Sequence, residues 1–126
     1  MATKALSISF KISTDGNLNG IFSLDTTEND AINIDDTSVT GNSVTVPVHP
    51  GTPTEVVPTT AGDTYVYLKN TDPTNFVQVR RVVGPADYAK LHPGEFIFLC
   101  VYDSMGMQLL ANTGACVVEY VTFLKA

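Results

Sequence analysis

Strand-length runs of β-branched, aromatic and other apolar residues recur through the second half of the chain, at 64–70, 75–83, 88–91, 95–102, 107–111 and 116–124. Each run is closed by residues that let a backbone reverse, in the segments NTDPTN, VGPAD, HPGE, DSMGM and NTGA. No window sustains an apolar period near 3.6, so almost no helix is expected; Gly84-Pro85 is the one place where a single helical turn could start, running through Lys90. Strands spaced at about eight to twelve residues with turn chemistry between them predict an all-β fold. The reading favoured is a two-sheet antiparallel β-sandwich, jelly-roll-like. The 126 residues show no internal repeat and no linker, which makes 1–126 one domain with enough chain for its own core.

The N-terminal half carries weaker signals. Leu6, Ile8, Phe10 and Ile12 alternate with Ser7, Ser9 and Lys11, the period of a strand with one buried face. The segment TDGNLNG (14–20) supplies turn residues, and Ile21, Phe22 and Leu24 can return as a short strand, completing a hairpin. From 26 to 60 only short candidate strands stand out, at 31–34, 43–48 and 55–57. Four of the seven prolines (Pro47, Pro50, Pro53, Pro58) fall here. Proline has no N–H to donate to a ladder, so 37–60 is expected at a sheet edge, in an extended Pro-rich loop, or as an arm lying on another subunit.

Thirteen acidic and seven basic residues give a net charge of -6, which repels phosphate backbones and anionic headgroups, so no nucleic acid and no membrane is expected as partner. Six of the acids (Asp15, Asp25, Glu28, Asp30, Asp35, Asp36) precede residue 37, against Lys4 and Lys11 alone, a solvated face in the simplest reading. Apolar runs such as 96–102 are far shorter than the roughly 20 residues of a membrane-spanning helix. The first ten residues lack the apolar core of a signal peptide. Cys100 and Cys116 each sit inside an apolar run, where buried free thiols are expected, with a disulfide between neighbouring strands left open.

Chemistry is sparse. His49 and His92 both stand in HPG triplets at turns, and a Cys100–His92 pair as nucleophile and base is opposed by the parity of Cys100 with Phe96, Phe98 and Tyr102, which points to packing. The carboxylates of DTTENDAINIDD (25–36) could offer oxygens to Ca²⁺, but their spacing is not that of an EF-hand loop. No nucleotide-binding glycine loop, zinc motif or nucleophile elbow is present. No catalytic, cofactor or metal site is therefore expected. Four residues remain as a candidate interface. Tyr65 and Tyr67 share one face of a strand with Lys69 beyond them, which suits core, interface or a ligand surface; Arg80 and Arg81 are expected on opposite faces of one strand, so that one of them meets a neighbouring subunit or solvent.

The order of pieces from 62 to 124 is more distinctive than any one of them. GDTYVYLKNTDPTNFVQV, then LHPGEFIFL, then a small-residue turn and CVVEYVTFLKA resembles the C-terminal half of small virion structural proteins of tailed bacteriophages. The matching residues are Lys69, Asn70, Asp72, Asn75, Phe76, Val77, Leu91, Pro93, Gly94, Glu95 and Ala111, Asn112 and Thr113; the insertion RRVVGPADYA (80–89) and the Pro-rich 37–60 stretch depart from the pattern. The resemblance implies a non-enzymatic virion component assembled in the host cytoplasm, in first place a capsid decoration (cement) protein that binds the outer head shell. Its implied partners are the major capsid protein or other virion proteins and further copies of itself, with a trimer favoured. A tail, neck or fibre component, or a receptor- or glycan-binding β-sandwich module, are the alternatives.

Overall fold

In a computed structural model the backbone is described for residues 3–18, 22–84 and 86–126, and side chains for these except 10–18, 22–31 and 35–38. Nine strands run in chain order as β1 (Thr3–Leu18), β2 (Phe22–Val46), β3 (Thr54–Val57), β4 (Thr64–Asn70), β5 (Val77–Arg80), β6 (Asp87–Leu91), β7 (Phe96–Val101), β8 (Met107–Ala111) and β9 (Cys116–Lys125). They form two antiparallel sheets, a five-stranded one ordered β1-β2-β9-β4-β7 and a four-stranded one ordered β3-β8-β5-β6. Leaving β1 aside, the eight strands distribute between the sheets as the two Greek keys of a jelly roll do. No helix occurs among the described residues, and 87–91, where a helical turn was an alternative, is strand β6.

The core lies between the sheets and is assembled from one parity of each strand. Val66 and Leu68 of β4, Val46 of β2, Val101 of β7 and Val118 of β9 meet Val77 and Val79 of β5, Leu91 of β6, and Met107 and Leu109 of β8. Along β4 the alternation is strict, with Thr64, Val66, Leu68 and Asn70 buried and Tyr65, Tyr67 and Lys69 half-buried on the other side. This is the period-two burial that strand geometry imposes.

The Pro-rich segment is not a single arm. Residues 39–46 form a ladder with β9 inside the five-stranded sheet, from Val39↔Phe123 to Val46↔Cys116. The chain then crosses between sheets with Ala111 donating its N–H to the Pro47 carbonyl and His49 donating to the Ala111 carbonyl. It ends in β3, an edge strand, as proline chemistry requires. The extended element is instead the N-terminal hairpin. β1 pairs with β2 from Thr3↔Asp35 to Leu18↔Phe22, so residues 14–18, expected to turn, are strand, and the turn itself lies outside the described residues. The predicted hairpin is present but much longer than its apolar alternation.

At one end of the sandwich a buried polar knot ties three connections together, β4–β5, β6–β7 and β8–β9. The fully buried Asn70 donates from its side-chain amide to the carbonyls of Asn75 and Leu91, each at 2.9 Å, while its Oδ1 accepts from the Asp72 N–H and the Cys116 thiol. Asp72 accepts from the N–H groups of Thr74, Asn75 and Val117. Asn70 N–H donates to the Glu95 carbonyl and Gly94 N–H to the Asn70 carbonyl, in a turn where Gly94 holds φ at +83° and Glu95 accepts from the His92 N–H. Asn70, Asp72, Asn75, Leu91, Gly94 and Glu95, residues on which the sequence resemblance was drawn, thus converge on one structural cluster.

The Asp72 carboxyl is held below its ordinary value of 3.8, first by the Asn75 and Thr74 N–H groups and also by Val117, against the opposing effect of burial. Its folded-state value is the lower one, so its contribution is complete above the unfolded value and disappears as pH falls through the folded one. Thermal unfolding followed by circular dichroism should show stability declining below pH 3.8, and Asp72→Asn should flatten that part of the profile while lowering the melting temperature at pH 7.

Candidate functional site

The two outer faces of the sandwich differ in kind. The four-stranded sheet presents polar and charged groups. Arg80 Nε lies 3.1 Å from Asp87 Oδ1, Gln78 donates to the other carboxylate oxygen of Asp87, and Lys90 Nζ stands 3.9 Å over the Phe76 ring, which also meets His92. This is the expected surface of a sheet facing water.

The five-stranded sheet is aromatic and aliphatic on its outer side. Register sets the rows: Gly41, Val121, Tyr67 and Phe98 align across four strands, flanked by Val39, Phe123, Tyr65 and Cys100 on one side and Ser43, Glu119, Lys69 and Phe96 on the other. Diagonal ring pairs knit β4 to β7, with Tyr65 stacked on Phe98 at 6.0 Å and Tyr67 tilted against Phe96 at 6.3 Å. Phe96 is 51% exposed, Val39 45%, and Phe98 and Val117 38% each. Contiguous apolar surface of this kind marks interaction sites rather than solvated faces. Beside Gly41, Tyr67 and Glu119 lies a shallow depression of about 310 Å³. The Tyr67 phenol there is pushed up by burial, then by the charge of Glu119 and a hydrogen bond with it.

Of the four candidate interface residues, Tyr65 and Tyr67 sit at the centre of this face. Arg80 and Arg81 do not. Arg80 points to the outside of the other sheet and is engaged by Asp87. Arg81 lies just past the end of β5, where its N–H donates to the Ala86 carbonyl. The β5–β6 ladder is irregular there because Tyr88 of β6 is an extra residue between the Val79↔Ala89 and Arg80↔Asp87 pairs, while β5 itself alternates regularly through Arg80. Arg81 turns its guanidinium over Gly84, and its Nε is buried with no hydrogen-bond partner among the described residues.

The remaining sequence candidates are scattered. His92 precedes β7 and Cys100 is near its far end, so the strand separates them. His49 is exposed. The side chains of 25–31, 35 and 36 in the acidic segment lie outside the described residues, and no metal-binding cluster occurs among the described ones. A second depression, about 330 Å³ at the end of the sandwich, is lined by Val57, Ala61, Gly62, Thr64, Thr122 and Leu124 among others. The Thr64 and Thr122 hydroxyls already donate to the carbonyls of Gly62 and Thr40, and no charged or ionisable side chain lines the depression.

No protein-family model matches the chain, and neither does any curated protein. The site therefore stands on geometry.

Phe96, Phe98, Val121 and Phe123 escaped the sequence reading although a signal for them exists. β7 is apolar at both parities, as is much of β9, and a strand apolar at both parities is one covered on both faces. The parity shared by Phe96, Phe98 and Cys100 was expected to pack in the core and instead faces outward, because Ile97, Leu99 and Val101 take the inner positions. Cys100 is accordingly exposed, a correction to the expectation of two buried thiols, whereas Cys116 is buried and both are free. The Cys116 thiol is raised to about 11, first by burial and then by the charge of Asp72, against the Asn70 hydrogen bond. A thiol reagent at pH 8 should therefore titrate one cysteine per native chain and both in denaturant, and Cys100→Ser should abolish the native reaction.

Proposed function

We propose that this chain is a structural component of a tailed-phage particle, a capsid decoration protein that binds the outer head shell and stabilises it. The observation that carries the reading is the uncovered aromatic face around Tyr65, Tyr67, Phe96 and Phe98, on a sandwich whose other face is ordinary polar surface. A jelly roll with one adhesive side suits a building block. The order of the motifs from Gly62 to Leu124 supplies the link to virion proteins, and those motifs serve the fold, as such a building block requires. A protein that binds only the assembled lattice stabilises it by mass action, and many copies add modest contacts into a large avidity.

Mass spectrometry of purified particles with copy counting tests this. A copy number commensurate with the shell lattice is expected; one matching a single axial structure would move the protein to neck, tail or fibre, and its absence would overturn the proposal. Tyr67→Lys, which places a charge at the centre of the face beside Glu119, should leave the sandwich folded and abolish cosedimentation with particles lacking the protein.

The depression beside Tyr67 and Glu119 supports a second reading, a glycan-binding module, because an aromatic ring with an adjacent carboxylate suits a sugar. Reproducible binding on a glycan array, lost in Tyr67→Lys, would favour it over decoration.

A further inference from the structure

The two sheets have four edge strands, β1 of the N-terminal hairpin and β3, β6 and β7 of the sandwich proper, and two of the last three are protected against pairing with other chains. β3 carries Glu55, lies between Pro53 and Pro58, and has an irregular register against β8. β6 carries Asp87 and Lys90 and has its own irregularity opposite Val79 and Arg80. β7 has none of these devices. It reads Phe-Ile-Phe-Leu-Cys-Val, without charge or proline, and pairs with β4 in unbroken register while its other side has no ladder partner among the described residues. Apolar edges without charge, proline or bulge are prone to pair with another chain unless something covers them.

Between this edge and β6 runs an apolar groove of about 570 Å³, lined by Tyr88, Ala89, Ile97, Phe98, Leu99 and neighbouring Phe96. One more residue lines it: Ile8, from the N-terminal hairpin. That hairpin extends the five-stranded sheet and is tied to the end of β9 at its base, by Ile34 opposite Lys125 and the Ala126 N–H on the Asn33 carbonyl. β2 pairs with β1 up to Asp35 and with β9 chiefly from Val39 onward, changing partner across an irregular stretch between Ile34 and Val39. By strand rise β1 is roughly 50 Å long against roughly 20 Å for β7, yet in its own chain the hairpin leaves Phe96 half exposed.

We propose that the N-terminal hairpin of one copy seats along the β6–β7 groove of a second copy, with Ile8 entering among Ala89, Ile97 and Leu99 and the partner change between Ile34 and Val39 acting as the hinge. This rests on the reading of the chain as a self-assembling building block and names the surfaces that join it. The contact is an exchange of one the chain makes with itself, the low-cost route of domain swapping. It is also head-to-tail, hairpin to groove, and such contacts generate closed rings when the rotation permits. A cyclic oligomer then follows from one kind of contact.

Full-length chains in a Cys100→Ser background test it. One preparation carries Ile8→Cys, another, differently tagged, carries Ala89→Cys; they are mixed, allowed to exchange subunits and oxidised. A disulfide joining differently tagged chains is expected, together with an oligomer by light scattering that Ile8→Asp weakens by about tenfold or more. A chain carrying both cysteines that cross-links only within itself, with no product between chains, would overturn the proposal. So would an oligomer indifferent to Ile8→Asp, and that result would leave the particle reading standing. Conversely, intermolecular cross-linking of a protein absent from particles would retain the hairpin contact and remove the decoration role.

Discussion

The Asn70 side chain is where the two sheets are held in one relationship. A buried amide has to satisfy both its donors and its acceptor, and Asn70 does so with the Asn75 and Leu91 carbonyls, the Asp72 N–H and the Cys116 thiol. Those partners belong to the β4–β5 crossing, the end of β6 and the start of β9. Its backbone adds the turn before β7 through Glu95 and Gly94. Strands from both sheets thus end at a common point, and the apolar layers between them meet in the register that this point allows. An apolar residue of similar size would fill the space and leave those carbonyls without partners in a region closed to water.

Because the knot fixes the strand ends, alternation along each strand determines what faces outward. On the four-stranded sheet that rule yields Gln78, Arg80, Asp87 and Lys90, which hydrate or pair locally. On the five-stranded sheet it yields Tyr65, Tyr67, Phe96, Phe98, Val121 and Phe123. The contrast lies in the side chains and not in the backbone, since both sheets are antiparallel and twisted into one sandwich. The ring pairs of that outer face support the β4–β7 pairing, but its exposed apolar area stays in water in an isolated chain, which is why it is read as a surface for assembly.

Strand positions from Thr64 onward were legible in the sequence because each run carries a buried parity and a closing turn, and β4 and β8 begin and end where those signals place them. The N-terminal hairpin was underestimated for the complementary reason. Its ladder extends through Ser13, Asn17 and Asp25, polar residues that carry no burial signal although the backbone pairs there. Likewise the second half of 39–46 was read as a short strand from residue 43, but the polar and glycine-containing 39–42 hid its start alongside β9. At β7 the difficulty was an excess of signal: with both parities apolar, nothing in the strand itself says which one faces the core. Arg81 was read as part of a strand running to Val83, whereas β5 ends at Arg80. For the site, Tyr65 and Tyr67 were found as a pair, but the rest of their face comes from β7, β9 and β2, strands that only the jelly-roll order brings alongside.

That order has a kinetic corollary. In the five-stranded sheet β9 is inserted between β2 and β4, pairing with both, although β2 and β4 precede it by a long stretch of chain. Until β9 arrives, β2 and β4 have no ladder to join them, while the β1–β2 hairpin can close from purely local contacts. Non-local pairing of this kind is slow to form, because a long loop must be ordered before the contacts that reward it exist. A growing chain would therefore hold its hairpin early and its sandwich late, with the inner faces of β2 and β4 open in the interval. The strand that completes the sheet is also the one that brings Cys116 to Asn70, so closing the sheet and tying the polar knot are a single event.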